Sequence, residues 1–479
     1  MVMKNKYITQ LIFMLFAMVI LGSCKKFLEV QPEDKVLETQ LFTNKKGIES
    51  VLNGLYIALA NNNAYGEALT LSSTEILAQR YNIPSTHDLY NLASYNYTEN
   101  PAASRLDAIW TNSYSNILNI NSFLENLERY KGVVDEKTES IYKGEAIALR
   151  AYLHFDLFRL YGPRYNTADS TKQSLPYYQQ TKISINPLLP ANGYLIKVIE
   201  DLKTAEQLLK NDAIQTTGVS SVSSTATADF LKNNRNYRLN YFAVKGLQAR
   251  VFLYRGDKVS ALAAAKEVIG KANLFPWTTV NNALSEKINP DRIFSTEMIF
   301  GILNTQLYAR YTAIFDPAIT EAKILAPLPA RLSSVFENNE NDYRYNLNWQ
   351  APTTGIKPYK TFFKYADIVD KEKTFRFTIP LIKISEMYYI AAECEPSATD
   401  GINNYLNVVR LNRGLANLAT TVNINTELQK EYQKEFYGEG QLFYYYKRRN
   451  VTSIGNGSST ANITINYNVP IPLSESQYR

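Results

Sequence analysis

Apolar residues recur every three or four positions in several long segments of the chain, which is the spacing of one buried face of an α-helix. Ile109, Ile117, Ile120, Leu124 and Leu127 form one such stripe. Comparable stripes elsewhere predict further amphipathic helices. The predicted helices span residues 46–61, 69–80, 104–130, 143–161, 239–255, 259–270, 381–395 and 402–413.

Short turns join two pairs of these helices. Gly256 and Asp257 separate the helices of the first pair, and a turn from Pro396 to Gly401 separates those of the second. Small residues stand where the paired helices would cross, as in the tetratricopeptide plan, although no strict repeat period is present. We therefore expect a mostly α fold with a tetratricopeptide-like scaffold of helical hairpins. Generic hairpins would pack in the same way locally but would not form a superhelical stack.

Three stretches show little periodicity, namely 61–101, 211–236 and 273–380. The second is rich in Ser, Thr, Asn and Gly, which predicts an exposed loop. Long irregular segments within compact domains are usually functional. We expect a scaffold of residues 46–272 and 381–479 that carries a loop-rich subdomain, 273–380, with a ligand-binding face.

The N-terminal segment has the layout of a bacterial lipoprotein signal. Lys4 and Lys6 precede an apolar run over 11–21, and small residues lead to Cys24. We predict a signal peptide over 1–23, lipidation of Cys24 and a polar tether over 24–45. The alternative is a plain membrane helix, but the run is shorter than the roughly 20 residues that a span needs.

Charge and residue counts exclude several classes of function. A net charge of +6 with no basic run gives no sign of a nucleic-acid partner. With Cys394 as the only other cysteine, no internal disulfide forms after export. The two histidines cannot build a multi-histidine zinc site; we expect His154 to be packed in its helix and His87 to be exposed. No catalytic residues and no cofactor are predicted, and a structural Ca²⁺ in a loop is left open.

The chain contains 35 Tyr and 21 Phe, and such rings can either pack helices or stack on the apolar faces of sugars. We place candidate ligand contacts in the irregular stretches, where polar residues that could bond hydroxyl groups surround the aromatic ones. The alternative for each position is a buried packing role. The candidates are Arg80, Tyr81, Tyr90, Tyr95, Tyr311 and Trp349.

Short motifs in a fixed order give the chain a family resemblance. Together they resemble the SusD/RagB family of Bacteroidota outer-membrane lipoproteins, which takes its name from starch utilisation. The late helix departs from the family pattern, because Leu442 and Tyr445 stand where Arg and Asp are common. The matching residues are 24–32, Trp110, Tyr114, Ile117, Asn121, Arg150, Ala151, Phe155, 161–163, 249–257, 384–393, Arg410, Arg413, Gly414, Glu431, Glu435, Glu439, Gly440, Arg448 and 470–472.

The resemblance implies a specific role. Members of this family are non-catalytic lids, held by lipid on the outer face of the outer membrane. They pass an oligomeric nutrient, most often a glycan and sometimes a peptide, to a TonB-dependent SusC-like transporter. The abundance of Tyr favours a glycan here. The family's ligand contacts lie in variable loops, so no contact residue is carried over.

Two other functions compete with this one. A tetratricopeptide-like adaptor would bind only proteins, and a secreted hydrolase would need a pair of carboxylates that nothing in the sequence singles out.

Overall fold

The structure is a computed structural model that describes residues 40–182, 184–220, 229–353, 355 and 357–478. The predicted signal and Cys24 lie outside these ranges. The helices longer than one turn are α1 (Lys45–Leu59), α2 (Ser73–Leu77), α3 (Tyr90–Ala93), α4 (Ala102–Arg129), α5 (Glu136–Tyr161), α6 (Ala191–Leu208), α7 (Ile214–Thr217), α8 (Tyr241–Arg255), α9 (Lys258–Ile269), α10 (Leu307–Ile314), α11 (Pro329–Val335), α12 (Tyr343–Asn348), α13 (Ile384–Cys394), α14 (Ala398–Gly401), α15 (Asn407–Leu411), α16 (Ile424–Glu435), α17 (Leu442–Arg449) and α18 (Leu473–Ser476).

The long helices form a continuous stack. Helix α4 packs on α5, α5 on α6, α6 on α8, α8 on α9 and α9 on α13. The prediction of a mostly α fold built from tetratricopeptide-like hairpins is confirmed. Among the described residues, no helix combines the length and the apolar character needed to cross a bilayer.

Capping residues set the ends of the main helices. The side chains of Asp135 and Asn240 accept hydrogen bonds from the first turns of α5 and α8, which satisfies backbone donors that have no partner in the helix. Gly256 ends α8 with φ at +86°, a conformation that favours glycine. Asp257 then caps α9, so the predicted turn between the two helices is confirmed.

The strands of the described chain form four antiparallel pairs. They are β1 (Gln173–Pro176) with β2 (Leu188–Pro190), β3 (Met298–Leu303) with β6 (Thr378–Lys383), β4 (Trp349–Gln350) with β5 (Thr361–Phe362), and β7 (Ser453–Gly455) with β8 (Asn462–Thr464). In the β3–β6 pair, Met298 lies opposite Lys383 and Leu303 opposite Thr378. This pair closes the base of the irregular segment 304–377 against the scaffold.

Some sequence predictions need correction. The helix predicted over 381–395 begins at Ile384, because residues 381–383 complete the buried strand β6. A short apolar run is compatible with a strand or a helix, and here Ile382 and Lys383 pair with Phe300 and Met298 of β3. The helix predicted over 69–80 is limited to α2, and α6 was not predicted.

Two predictions of exposure were also wrong. His87 is 4% exposed, and its Nδ1 accepts a hydrogen bond from the backbone of Leu89. The loop predicted over 211–236 ends in buried residues, because Arg235 pairs with Asp212 at 2.6 Å in the core. Residues 221–228 of that loop lie outside the described ranges.

A network of buried ion pairs centred on Glu435, at the end of α16, joins the scaffold to segment 273–380. Glu435 accepts hydrogen bonds from Arg413 at 2.8 and 2.9 Å and pairs with Lys383 at 2.9 Å. From the irregular segment, Arg344 reaches the same carboxylate at 3.1 Å. All four side chains are buried.

The network continues on both sides of Glu435. Arg413 also pairs with Glu297, immediately before β3, at 2.5 Å. Arg344 reaches Glu431, one turn earlier on α16, at 2.9 Å. Burial alone would raise the pKa of Glu431, but Arg344 and neighbouring cations lower this pKa to about 2. The carboxylate is therefore ionised at neutral pH.

We expect Glu435→Gln to lower the free energy of unfolding by about 3–5 kcal/mol, because it leaves buried cations without a charged partner. Chemical denaturation followed by circular dichroism measures this change. The matched control is Glu427→Gln on the same helix. Glu427 pairs at 2.9 Å with Lys430, whose side chain is 36% exposed, and such a pair contributes less than about 1 kcal/mol. Equal losses in the two variants would contradict the central role of the network.

Candidate functional site

A cleft of about 630 Å³ opens between α4 and the irregular residues that follow β1. Residues 178, 180–182 and 184–185 form the wall opposite α4, and Ser474 and Glu475 of α18 close one end. The volume falls in the range of about 300–1,000 Å³ that is typical of small-molecule sites.

Helix α4 supplies one wall of the cleft. Trp110, Tyr114, Leu118 and Asn121 are spaced by four, four and three residues, which places them on one face of the helix. Trp110 is 3% exposed, Tyr114 is half-buried and Leu118 is 50% exposed. The wall therefore runs from the hydrophobic core out to solvent.

Buried polar groups fix the position of the opposite wall. The Nδ2 atom of Asn121 donates to the carbonyl oxygens of Tyr178 at 3.3 Å and Gln180 at 3.4 Å. Arg150 donates to Oδ1 of Asn121 at 3.0 Å and forms a two-bond pair with Asp201, with both bonds at 2.8 Å. Asn121 is thus oriented by a charge-assisted network and in turn positions the segment.

His154 holds the same segment from below. Its ring stacks on Tyr177 with 3.8 Å between the ring centroids, and its Nε2 atom lies 3.3 Å from the backbone nitrogen of Tyr178. Burial lowers the pKa of His154 to about 3, so the ring is neutral. The hydroxyl of Tyr194 donates to the backbone carbonyl of His154 at 2.9 Å and therefore accepts from Nδ1 at 2.8 Å. Nε2 is then the acceptor for the backbone nitrogen of Tyr178. The prediction that His154 is packed is confirmed.

At the outer edge, Thr181 is tied to α4. Its backbone nitrogen donates to the carboxylate of Glu125 at 2.9 Å, and its hydroxyl donates to the same group at 2.5 Å. These hydrogen bonds lower the pKa of Glu125, which is therefore ionised at neutral pH.

The chemistry of the cleft suits binding. The ring centroids of Trp110 and Tyr114 are 4.8 Å apart, and Tyr114 meets Tyr178 edge to face at 5.6 Å. These rings present apolar surface, while Gln180 and Lys182 supply polar groups at the rim. Among the described residues, no three His, Cys, Asp or Glu side chains converge as metal ligands.

The structure brings four of the six candidate contacts together, but in the core. The guanidinium of Arg80 lies 3.8 Å from the ring centroid of Tyr437, and Trp349 and Tyr81 meet that ring at 4.7 and 5.9 Å. Tyr311 joins the group through Phe315, which also contacts Tyr81. The four candidate side chains are between 1% and 8% exposed. Ligand contact by them stays a prediction, and their burial favours the packing alternative.

The other two candidates differ from each other. Tyr95 is 8% exposed, and its hydroxyl donates to the carbonyl of Leu77 at 3.0 Å, so it too is packed. Tyr90, on α3, is 40% exposed and stays a predicted contact.

The cleft residues were not among the ligand contacts predicted from the sequence. Trp110, Tyr114 and Asn121 appeared only among the residues that match the family pattern, and their shared helical face was the signal that could have identified them as a site. Tyr178 follows a short strand that was not predicted, so no pattern in the sequence places it opposite α4.

Comparisons with known proteins agree with this fold. A family model described as "Starch-binding associating with outer membrane" matches residues 26–232, and the SusD family model matches residues 305–478. The SusD-like protein P38 of Formosa agariphila is 24% identical, and the match covers 93% of this chain and 92% of P38.

The chain belongs to the SusD/RagB family. Solved structures share its fold. A SusD superfamily protein from Bacteroides thetaiotaomicron has a TM-score of 0.69 at 20% identity, covering 91% of this chain and 98% of that one. Surface glycan-binding protein A of the same organism, solved with laminarihexaose, has a TM-score of 0.65 at 18% identity, with the same coverage. This membership agrees with the prediction of a binding protein, since the family model over residues 26–232 is described as starch-binding.

We expect Trp349→Ala to lower the free energy of unfolding by about 3–5 kcal/mol, because the side chain is 2% exposed and its removal leaves a cavity. The control is Tyr90→Ala, which removes an exposed ring and should change this value by no more than about 0.5 kcal/mol. Denaturant titration of both variants measures the difference. Wild-type stability of the Trp349 variant would show that the ring is not part of the core.

Proposed function

We propose that this SusD-like protein captures an oligosaccharide in the aromatic cleft and delivers it to a TonB-dependent SusC-like transporter of the outer membrane. The observation that carries the proposal is the cleft itself, in which Trp110, Tyr114 and Tyr178 surround a volume of about 630 Å³. Two fold relatives, the laminarin-binding SusD-like protein and surface glycan-binding protein A, support a glycan as the ligand.

The surface of the cleft matches the two kinds of surface that a sugar presents. The C–H faces of sugar rings are apolar and pack on aromatic rings, which the half-buried Tyr114 and Tyr178 offer. The sugar hydroxyl groups need hydrogen-bond partners, and Gln180, Lys182 and Ser184 line the same cleft. Because each contact is weak, useful affinity requires several sugar units at once.

The rigid wall makes the cleft a prepared site. Asn121 and His154 hold the segment at Tyr178, and Glu125 holds it at Thr181. A site that is already ordered loses less conformational entropy when a ligand binds. Because each stacking contact is weak, capture of the ligand depends on this smaller loss of conformational entropy.

Anchoring is the second part of the proposal. Lipid on Cys24 would hold the protein at the outer membrane, facing outward. Of the predicted tether 24–45, only the part before the buried Phe42 would leave slack for a lid to open over the transporter. The family model over 26–232, described as associating with the outer membrane, supports this location. Purification of this protein from detergent extracts tests the partnership. If no TonB-dependent transporter copurifies, delivery of the glycan to a transporter is contradicted.

We expect Tyr178→Ala to weaken binding of the best oligosaccharide in a glycan and peptide array about five- to tenfold. This corresponds to a loss of about 1–1.5 kcal/mol of ring stacking. Calorimetry measures the affinity, and melting curves confirm the fold. The matched control is Tyr90→Ala. Tyr90 lies on what we call the loop-rich face, formed by residues 82–95 and 316–325, where the backbone nitrogen of Asp88 donates to the carbonyl of Ala322 at 3.2 Å.

The pair of variants separates the two surfaces. If Tyr90→Ala weakens binding and Tyr178→Ala does not, the ligand binds the loop-rich face and the cleft assignment is wrong. A blank glycan array with a peptide hit would assign peptide cargo to the protein. A fully blank array would overturn nutrient capture.

We expect Cys24→Ser to abolish membrane anchoring, because the lipid has no thiol to join. The control is Cys394→Ser, since Cys394 is a buried free thiol that should play no part in anchoring. Partition into detergent and labelling with radioactive palmitate provide the readout. Unchanged partition of the Cys24 variant would refute the lipid anchor.

A further inference from the structure

A smaller cavity lies at the meeting point of α2, α11, α16, α17 and β7. Its volume is about 110 Å³, against the roughly 10–15 Å³ that holds one water molecule. Arg80, Arg331 and Ser334 line it, together with Tyr446. No Asp or Glu is among its lining residues.

Arg80 lines this cavity and has hydrogen-bond donors without a partner. The residue is 5% exposed, and its Nε atom donates to Glu75 at 3.2 Å. Its Nη1 and Nη2 atoms are buried without a partner in the described chain. A buried donor without a partner costs about 1–3 kcal/mol, and more when it is charged. A resident group that accepts hydrogen bonds would remove this cost.

A second guanidinium reaches the same cavity. Arg331 donates through Nε and Nη2 to the carbonyl oxygens of Ser459 and Ala461, at 2.7 to 3.1 Å. Its Nη1 atom makes no hydrogen bond within the described residues. A Cβ atom on Gly455 would lie 2.2 Å from Nη1, so glycine at that position leaves room for the guanidinium.

Two hydroxyl groups complete the set of donors. The hydroxyl of Tyr446 accepts from Gln433 at 2.8 Å, and its own proton has no acceptor among the described residues. Ser334 is exposed at the rim, and its hydroxyl makes no hydrogen bond in the described chain. Two arginines and two hydroxyl-bearing residues therefore line the cavity, and one of the arginines is paired with Glu75.

We propose that this cavity binds a small oxyanion, namely a sulfate, phosphate or carboxylate group. Planar guanidinium groups with free N–H bonds match the oxygen pairs of such anions. The group can be a free ion or an acidic substituent of a saccharide. The inference stands apart from glycan capture in the aromatic cleft, because it concerns different residues and is tested with inorganic ions.

The test measures thermal stability and calorimetric binding of the full protein in sodium sulfate and sodium phosphate, against sodium chloride at matched ionic strength. We expect saturable stabilisation by sulfate or phosphate. Ser334→Glu places a like charge at the rim and should weaken this binding at least tenfold. Ser333→Glu adds the same charge to the same helix away from the cavity and should change it less than twofold.

Two outcomes would overturn the proposal. One is stabilisation that does not saturate or that equals the effect of chloride, which would mean that only water satisfies Arg80. The other is an equal loss in the two Glu variants, which would reflect the general charge of the surface.

A competition arm identifies the source of the anion. If sulfate weakens binding of a sulfated oligosaccharide but not of its neutral parent, the site recognises a group on the glycan. If sulfate binds but weakens the binding of neither the sulfated oligosaccharide nor its neutral parent, the site holds a free ion. Both results retain the oxyanion site, and Arg80→Gln should remove it in either case.

Discussion

The buried carboxylate of Glu435 is the constraint on which the rest of the fold depends. It forms ion pairs with Arg413 and Lys383 of the scaffold and with Arg344 of the irregular segment. Buried ion pairs between residues distant in sequence require one geometry, because a buried charge that loses its partner is strongly unfavourable. An irregular segment without long helices therefore docks in one arrangement. Hydrophobic contacts alone are less directional and would fix that arrangement less tightly.

Buried polar contacts also fix the geometry of the cleft. Arg150 and Asp201 orient Asn121, and Asn121 holds the backbone at Tyr178. The motifs that carry the family resemblance thus act largely as positioning devices, since Asn121, Arg150, Arg413 and Glu435 bond to other parts of the protein. This explains how relatives of low identity share the fold.

The sequence predicted most of the long helices, because an apolar stripe at helical spacing needs no information from distant residues. Helix α6 carries such a stripe and was nevertheless missed. Other failures lie where the decisive contact is remote. Residues 381–383 became a strand through pairing with β3, and His87 was buried by residues far along the chain. The aromatic candidates show the same limit. Trp349 and Tyr81 were predicted as ligand contacts from their residue type, but composition cannot separate a core ring from a surface ring. The partner of Tyr114 across the cleft lies in an irregular segment.

The central claim is that ligand contacts the cleft between α4 and the segment at Tyr178. Hydrogen–deuterium exchange with mass spectrometry, with and without the oligosaccharide that binds most tightly, tests it directly. The account predicts slower exchange over 110–121 and 178–182, with little change elsewhere. Protection confined to residues 82–95 and 316–325 on the loop-rich face would contradict it.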